Sequence, residues 1–88
     1  MDEKGMEKIL KALANRRRLL ILKFLKKRNE ATVGEIAEGI ALSFKATSKH
    51  LGILANVGII DREQRGLQMN YSMVSNVPEC ARRVVALL

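Results

Sequence analysis

Apolar residues recur at intervals of three and four through most of this chain, then at every second position around residue 70. Met6, Ile9, Leu10 and Leu13 form an i, i+3, i+4, i+7 stripe, with Lys4, Glu7, Lys8 and Lys11 opposite, so Asp2 to Ala14 is predicted to be an amphipathic helix. Gly5 weakens its first turn. Asn15 is a good N-cap for a second helix running to about Lys27. Leu19, Leu20, Ile21, Leu22, Phe24 and Leu25 leave that helix little polar face, which places it at the centre of the fold. Arg28 to Ala31 read as the loop that follows.

Thr32 with Glu35 three residues on has the capping-box spacing, and Val33, Ile36, Ala37 and Ile40 form the inner stripe of a third helix. Gly39 falls near its end, where a left-handed residue is expected. Ser43 caps a fourth helix, with Thr47, Leu51 and Leu54 facing inward, and Gly58 stops it. Two strands follow, turning at Gln64-Arg65-Gly66. Leu67, Met69, Tyr71 and Met73 share one face of the second strand; Gln68, Asn70 and Ser72 share the other. Past Asn76 and Pro78, a last helix carries another apolar stripe, Ala81, Val84, Val85 and Leu88.

Helix, tight turn, helix and ribbon make a winged helix-turn-helix, a shape that presents one helix to the major groove of DNA. The predicted class is mainly α with a small β-hairpin: five helices and a two-stranded wing in one domain over residues 1–88. Residues 32–56 form the helix-turn-helix and residues 59–74 the wing. Residues 1–14 and 77–88 remain as helices with sticky faces. The chain is 48% apolar with only three aromatic residues, so its core is aliphatic and surplus apolar surface is left for a second copy.

Charge sharpens this picture. The formal net charge is +7, and residues 1–30 hold ten Lys/Arg against four Asp/Glu. Eight basic side chains and no acid lie between Lys11 and Arg28. Such an excess draws polyanions, although it also serves a plain solvated surface. The single Cys80 excludes an internal disulfide, the charged N-terminus is not a signal peptide, and no apolar run reaches the ~18 residues of a membrane span. A cytoplasmic protein without membrane contact is expected. One His, one Cys and no paired carboxylates leave no nucleophile–base pair, so an enzyme is not expected.

The side chains opposite the core stripe of the fourth helix are Phe44, Lys45, Ser48 and Lys49, and no acid occurs between Glu38 and Asp61. Lys45 or Lys49 can donate to guanine, Ser48 can pair with several bases, and Phe44 can touch a thymine methyl. The full candidate DNA-contacting set is Ser43, Phe44, Lys45, Thr47, Ser48, Lys49 and His50 from this helix. Arg62 and Arg65 join it from the wing, and Arg18 from the start of the second helix. Arg16, Arg17 and Arg18 suit phosphate binding at a helix N-terminus, and pairing with Glu3 or Glu7 suits one of them equally. Arg62 and Arg65 fit a groove contact and a solvated edge equally well.

Residues from about Leu10 to Met73 resemble the ArsR-type winged-helix repressors. "LKALANRRRLLIL" is similar to the family's first helix pair, "LSFKATSKHLGIL" to its recognition helix, and "GIIDREQRGLQMNYSM" to its wing, with Tyr71 and Met73 at the last places. The resemblance implies a homodimer, joined through the first and last helices, that binds an inverted repeat in double-stranded DNA and represses. The implied dimer interface is Met6, Ile9, Leu10, Leu13, Ala81, Val84, Val85 and Leu88.

The departures matter too. Metal-sensing members of the family carry Cys-x-Cys where Thr32 and Gly34 stand here, and the last helix offers only Glu79 and Cys80. No metal site or cofactor is therefore expected, and no small-molecule or metal effector is evident. Arg16 replaces a usual proline. Leu67 replaces a usual wing arginine, for which Arg65 can substitute. Phe44 replaces a usual polar residue, and either reads a base or tucks back into the protein. His50 reads as a packing or phosphate-contacting residue ahead of a pH sensor. Two other uses of the fold stay open: a protein–protein assembly module, and a non-specific architectural or RNA-binding protein, although aromatic scarcity disfavours single-strand readers.

Overall fold

A computed structural model describes residues Met1–Leu88. Helix α1 (Glu3–Leu13) begins at an Asp2 cap, whose carboxylate accepts the Gly5 amide at 2.9 Å. Asn15 caps α2 (Arg16–Arg28) in the same way through the Arg18 amide. Both starts lie where a short polar side chain precedes the helical rhythm, because such a side chain satisfies amides that have no partner within the helix. Helix α2 occupies the middle of the fold, against the other helices and the sheet. Ile21, Leu22 and Leu25 are fully buried there, while Leu19, Leu20 and Phe24 are half-buried.

The loop expected after α2 contains a strand. Asn29, with φ 72°, turns the chain into β1 (Glu30–Thr32). This strand pairs antiparallel with β3, Ala31 opposite Tyr71, so the sheet has three strands where a two-stranded wing was expected. Three residues are too few to show an alternating pattern, and the pairing partner is distant in sequence. Thr32 closes β1 and caps α3 (Val33–Ile40), and both halves of the capping box form with Glu35. The Thr32 amide hydrogen bond in particular holds the Glu35 carboxyl below its ordinary range.

Gly39 does not end α3. Ala41 takes the left-handed conformation, φ 56°, at a cost of roughly 1–2 kcal/mol for a residue with a Cβ. Gly39 is instead the place where the Phe24 ring lies against the helix, and a Cβ there would overlap the ring. Close packing, rather than backbone freedom, explains this glycine.

Helix α4 (Phe44–Asn56) follows a three-residue turn and starts at a Ser43 cap. Thr47, Leu51 and Leu54 are fully buried along its inner side. Strands β2 (Ile60–Arg65) and β3 (Gln68–Met73) form the wing, in the order β1-β3-β2. Arg65 pairs with Gln68, so the reversal is Gly66-Leu67, one residue beyond the expected tip. Leu67 therefore leaves the face assigned to it and stands fully exposed in the turn, while Tyr71 on that face is buried and Met69 and Met73 pack on the core.

Helix α5 (Glu79–Ala86) packs against α1 and α2, and Lys26 Nζ donates to the Val85 and Ala86 carbonyls at 3.1 and 3.2 Å. This packing divides the expected dimer interface. Ile9, Leu13, Ala81 and Val85 are buried within the chain's own core and are not available to a partner. Met6 and Leu10 remain 41% and 44% exposed on the outer side of α1, and Val84 and Leu88 are half-buried. An amphipathic stripe shows that a helix covers something; here part of what it covers is its own chain.

Candidate nucleic-acid interface

The exposed side of α4 is built by the same periodicity that buries Thr47, Leu51 and Leu54. The positions between the buried ones turn away from the core: Phe44, Lys45, Ser48 and Lys49 are all exposed. The Ser43 hydroxyl is engaged in the cap, accepting the Ala46 amide at 3.1 Å. Thr47 must leave the contacting set. Its side chain is fully buried, its hydroxyl has no hydrogen-bond partner, and no base can reach it. Phe44 is 63% exposed and does not tuck back into the protein.

On the C-terminal side of this face, α4 and β2 enclose a hollow of about 460 Å³ lined in part by Lys49, Gly52, Asn56, Asp61 and Arg62. Arg62 makes no ion pair. Lys49 and Arg62 therefore present two unneutralised cations around one concavity, which suits an anion that runs past the helix. Asp61 is the first carboxylate met after Glu38. It turns back to accept the Arg62 amide at 2.9 Å.

Arg65 lies on the other side of the wing, since strand alternation separates it from Arg62. Its guanidinium bridges Glu30 at 2.7 Å and Glu63 at 2.6 Å, and those hydrogen bonds, Glu30 first, hold it more firmly protonated than usual. Arg65 thus ties the wing tip to β1, and its charge is shared with two carboxylates where a free wing cation was expected. What the tip presents is Leu67.

Arg18 also has a different role from the one expected. It binds no acid. Nε donates to the Ala12 carbonyl at 2.5 Å, Nη2 to the Lys11 carbonyl at 3.2 Å, and Nη1 lies 3.2 Å from His50 Nδ1. The α1 carbonyls are the unpaired acceptors at a helix end, where a cation is favoured. His50 Nδ1 must accept from a guanidinium, which is only a donor, so its ring is neutral with the proton on Nε2. Its pKa is lowered first by burial and then by Arg18, Arg17 and Lys49. Sequence gives no sign of this linkage, because its ends are far apart and neither residue type is unusual where it stands.

No group of three or more His, Cys, Asp or Glu side chains is placed to hold a metal ion. Glu79 pairs with Arg83 at 2.9 Å, and the half-buried Cys80 thiol meets the Met1 sulfur at 4.0 Å. No helix is long and apolar enough to cross a membrane. Away from the α4 face, Met6 and Leu10 line a shallow groove along α1 with Glu3, Glu7, Lys11 and Ala14. Leu87, 87% exposed just beyond α5, adds an apolar side chain outside the expected stripe.

Known proteins share this arrangement. The transcriptional activator HlyU of Vibrio cholerae is 39% identical over 67 residues, 76% of this chain and 61% of that protein's length. A structure of HlyU superposes with a TM-score of 0.83 at 31% identity, covering 99% of this chain and 92% of that one. A homodimeric winged helix-turn-helix DNA-binding domain from Mycobacterium bovis gives 0.80 at 30% identity, covering 96% and 74%. The transcriptional repressor PagR of Bacillus anthracis gives 0.80 at 26%, covering 96% and 92%. Residues 15–62, which take in α2, α3 and the whole of α4, match the family described as bacterial regulatory protein, arsR family. With more than half its length in that match and the winged helix-turn-helix complete around it, this chain belongs to the arsR family of bacterial regulatory proteins.

Proposed function

We propose that this protein is a homodimeric, cytoplasmic regulator that binds an inverted-repeat operator through α4 in the major groove, with the wing beside the minor groove or backbone. The observation that carries the reading is the outward face of α4, where Lys45, Ser48 and Lys49 stand exposed and acid-free beside Arg62. Charged and hydroxylic side chains on the N-terminal part of such a helix reach base edges, and free cations beside it meet phosphates. The second copy docks through the open side of α1 and the C-terminal end of the chain: Met6, Leu10, Val84, Leu87 and Leu88. We assign repression as the direction of control, since occupying a promoter blocks polymerase by volume alone. PagR is a repressor and HlyU an activator, so fold similarity does not set the direction.

The test is selection of bound sequences from a pool of random duplexes, with affinity followed against salt. A palindrome with half-sites about one helical turn apart is expected, with affinity falling as salt rises. Binding with no enriched sequence would make this an architectural protein. No duplex binding at low salt would leave protein–protein assembly as the use of the fold. A reporter with the selected site across its promoter then tests direction, and lowered expression is expected.

A further inference from the structure

Phe44 at the start of α4 and Leu67 at the wing tip are 63% and 103% exposed, and they line one groove of about 380 Å³ together with Thr32, Val33, Gly34 and Met69. Gln68 completes the lining, and no charged residue takes part. That is unusual ground on a chain of net charge +7. The wing cation nearest the tip, Arg65, is held by Glu30 and Glu63.

We propose that Phe44, at the start of the helix assigned to the major groove, reads a thymine methyl group in the operator. The inference deepens the operator-binding reading above and rests on it. Phe44 is continuous with Lys45 and Ser48 on the face assigned to the groove, so DNA docked there places a base edge against the ring. The groove presents no charged side chain to a phosphate. Among the base edges of the major groove, only thymine carries a methyl, and it has no need of a donor or a cation. Lys45, Ser48 and Lys49 then discriminate by hydrogen bonds, while Phe44 discriminates by burial.

The experiment starts from the selected operator and replaces each thymine in turn by deoxyuridine, which removes only the methyl. At one position in each half-site, affinity is expected to fall about fourfold per methyl, on the order of fifteenfold for a symmetric pair. Phe44→Ala should weaken the thymine operator by a similar factor and erase the thymine–uracil difference, while Leu67→Ala leaves that difference in place. Both side chains are exposed, so circular dichroism should stay unchanged and folding does not confound the result. A fully uracil-substituted operator bound as tightly as the original overturns the proposal. So does a Phe44→Ala variant that still distinguishes the two, or one whose main defect is in sedimentation, which would make the groove a protein contact. If no operator is enriched at all, the operator-binding reading has failed first, before any methyl is removed.

Discussion

Arg18 Nη1 lies 3.2 Å from His50 Nδ1, and the same guanidinium holds the Lys11 and Ala12 carbonyls at the end of α1. One side chain of α2 thereby joins the helix that carries the exposed apolar stripe to the helix that carries the outward Lys45, Ser48 and Lys49. The join uses a charged donor on acceptors that have no other partner, so it is worth more than an ordinary surface contact.

Arg18→Ala should destabilise the fold by about 2 kcal/mol, the range for hydrogen bonds made by a charged group. Urea unfolding measures this. If Arg18 only positions α4, the salt slope of DNA binding should stay the same in the variant. A slope flatter by about 1 would restore Arg18 as a phosphate contact.

His50 makes the join sensitive to acid. Burial first, then Arg18, Arg17 and Lys49, keep its folded pKa below the ordinary 6.5, so the unfolded chain takes up this proton before the folded one does. This contribution to stability is complete above pH 6.5 and is lost as pH falls through the folded value. His50→Gln retains an acceptor for Arg18 but does not titrate. The advantage of wild type over the variant in urea midpoint should therefore shrink from about pH 7.5 to 5. A constant difference across that range would mean His50 titrates alike in both states.

Lys49 projects from the outer face of α4 into the hollow shared with Arg62. Lys49→Ala should weaken binding to the selected operator by about 1–3 kcal/mol and relax preference at one position. Equal losses on operator and random duplex, measured in competition, would reassign it to the phosphate backbone.

Leu10→Glu places a carboxylate on the open side of α1, and sedimentation should show dissociation with the helical signal retained. Val85→Asp, aimed at a side chain buried within the chain, should instead unfold the monomer. Dimers that persist with Leu10→Glu would place the interface elsewhere.

Thr47 buries a hydroxyl that finds no partner. Thr47→Val keeps its shape and removes the unsatisfied group, so stability should rise by up to about 1 kcal/mol. Operator affinity should not change. A loss of affinity with stability intact would return Thr47 to the contacting set.

Much of this was legible along the chain. Asp2, Asn15, Thr32 and Ser43 announce helix starts because a cap acts within three residues of itself. The inner and outer faces of α4 follow from helix periodicity alone, and they deliver Lys45, Ser48 and Lys49 to solvent. Thr47 could have been set aside on the same ground, since its place in the buried stripe already opposed a groove contact.

The remainder depended on partners brought from afar. β1 needs residues Asn70 to Ser72 before it is a strand at all. Arg65 reads as a free wing cation until Glu30, 35 residues earlier, folds against it, and the hold of Arg18 on the end of α1 exists only once α1 ends beside it. The stripes of α1 and α5 read identically whether they cover a partner or each other. Periods, caps and charge sums are set by neighbours within a turn or two, so the sequence alone determined the helices, the outward face of α4 and the basic character. Which charges stay free, and which apolar residues stay open, is decided by competition among groups distant in sequence, and only the tertiary structure resolved it.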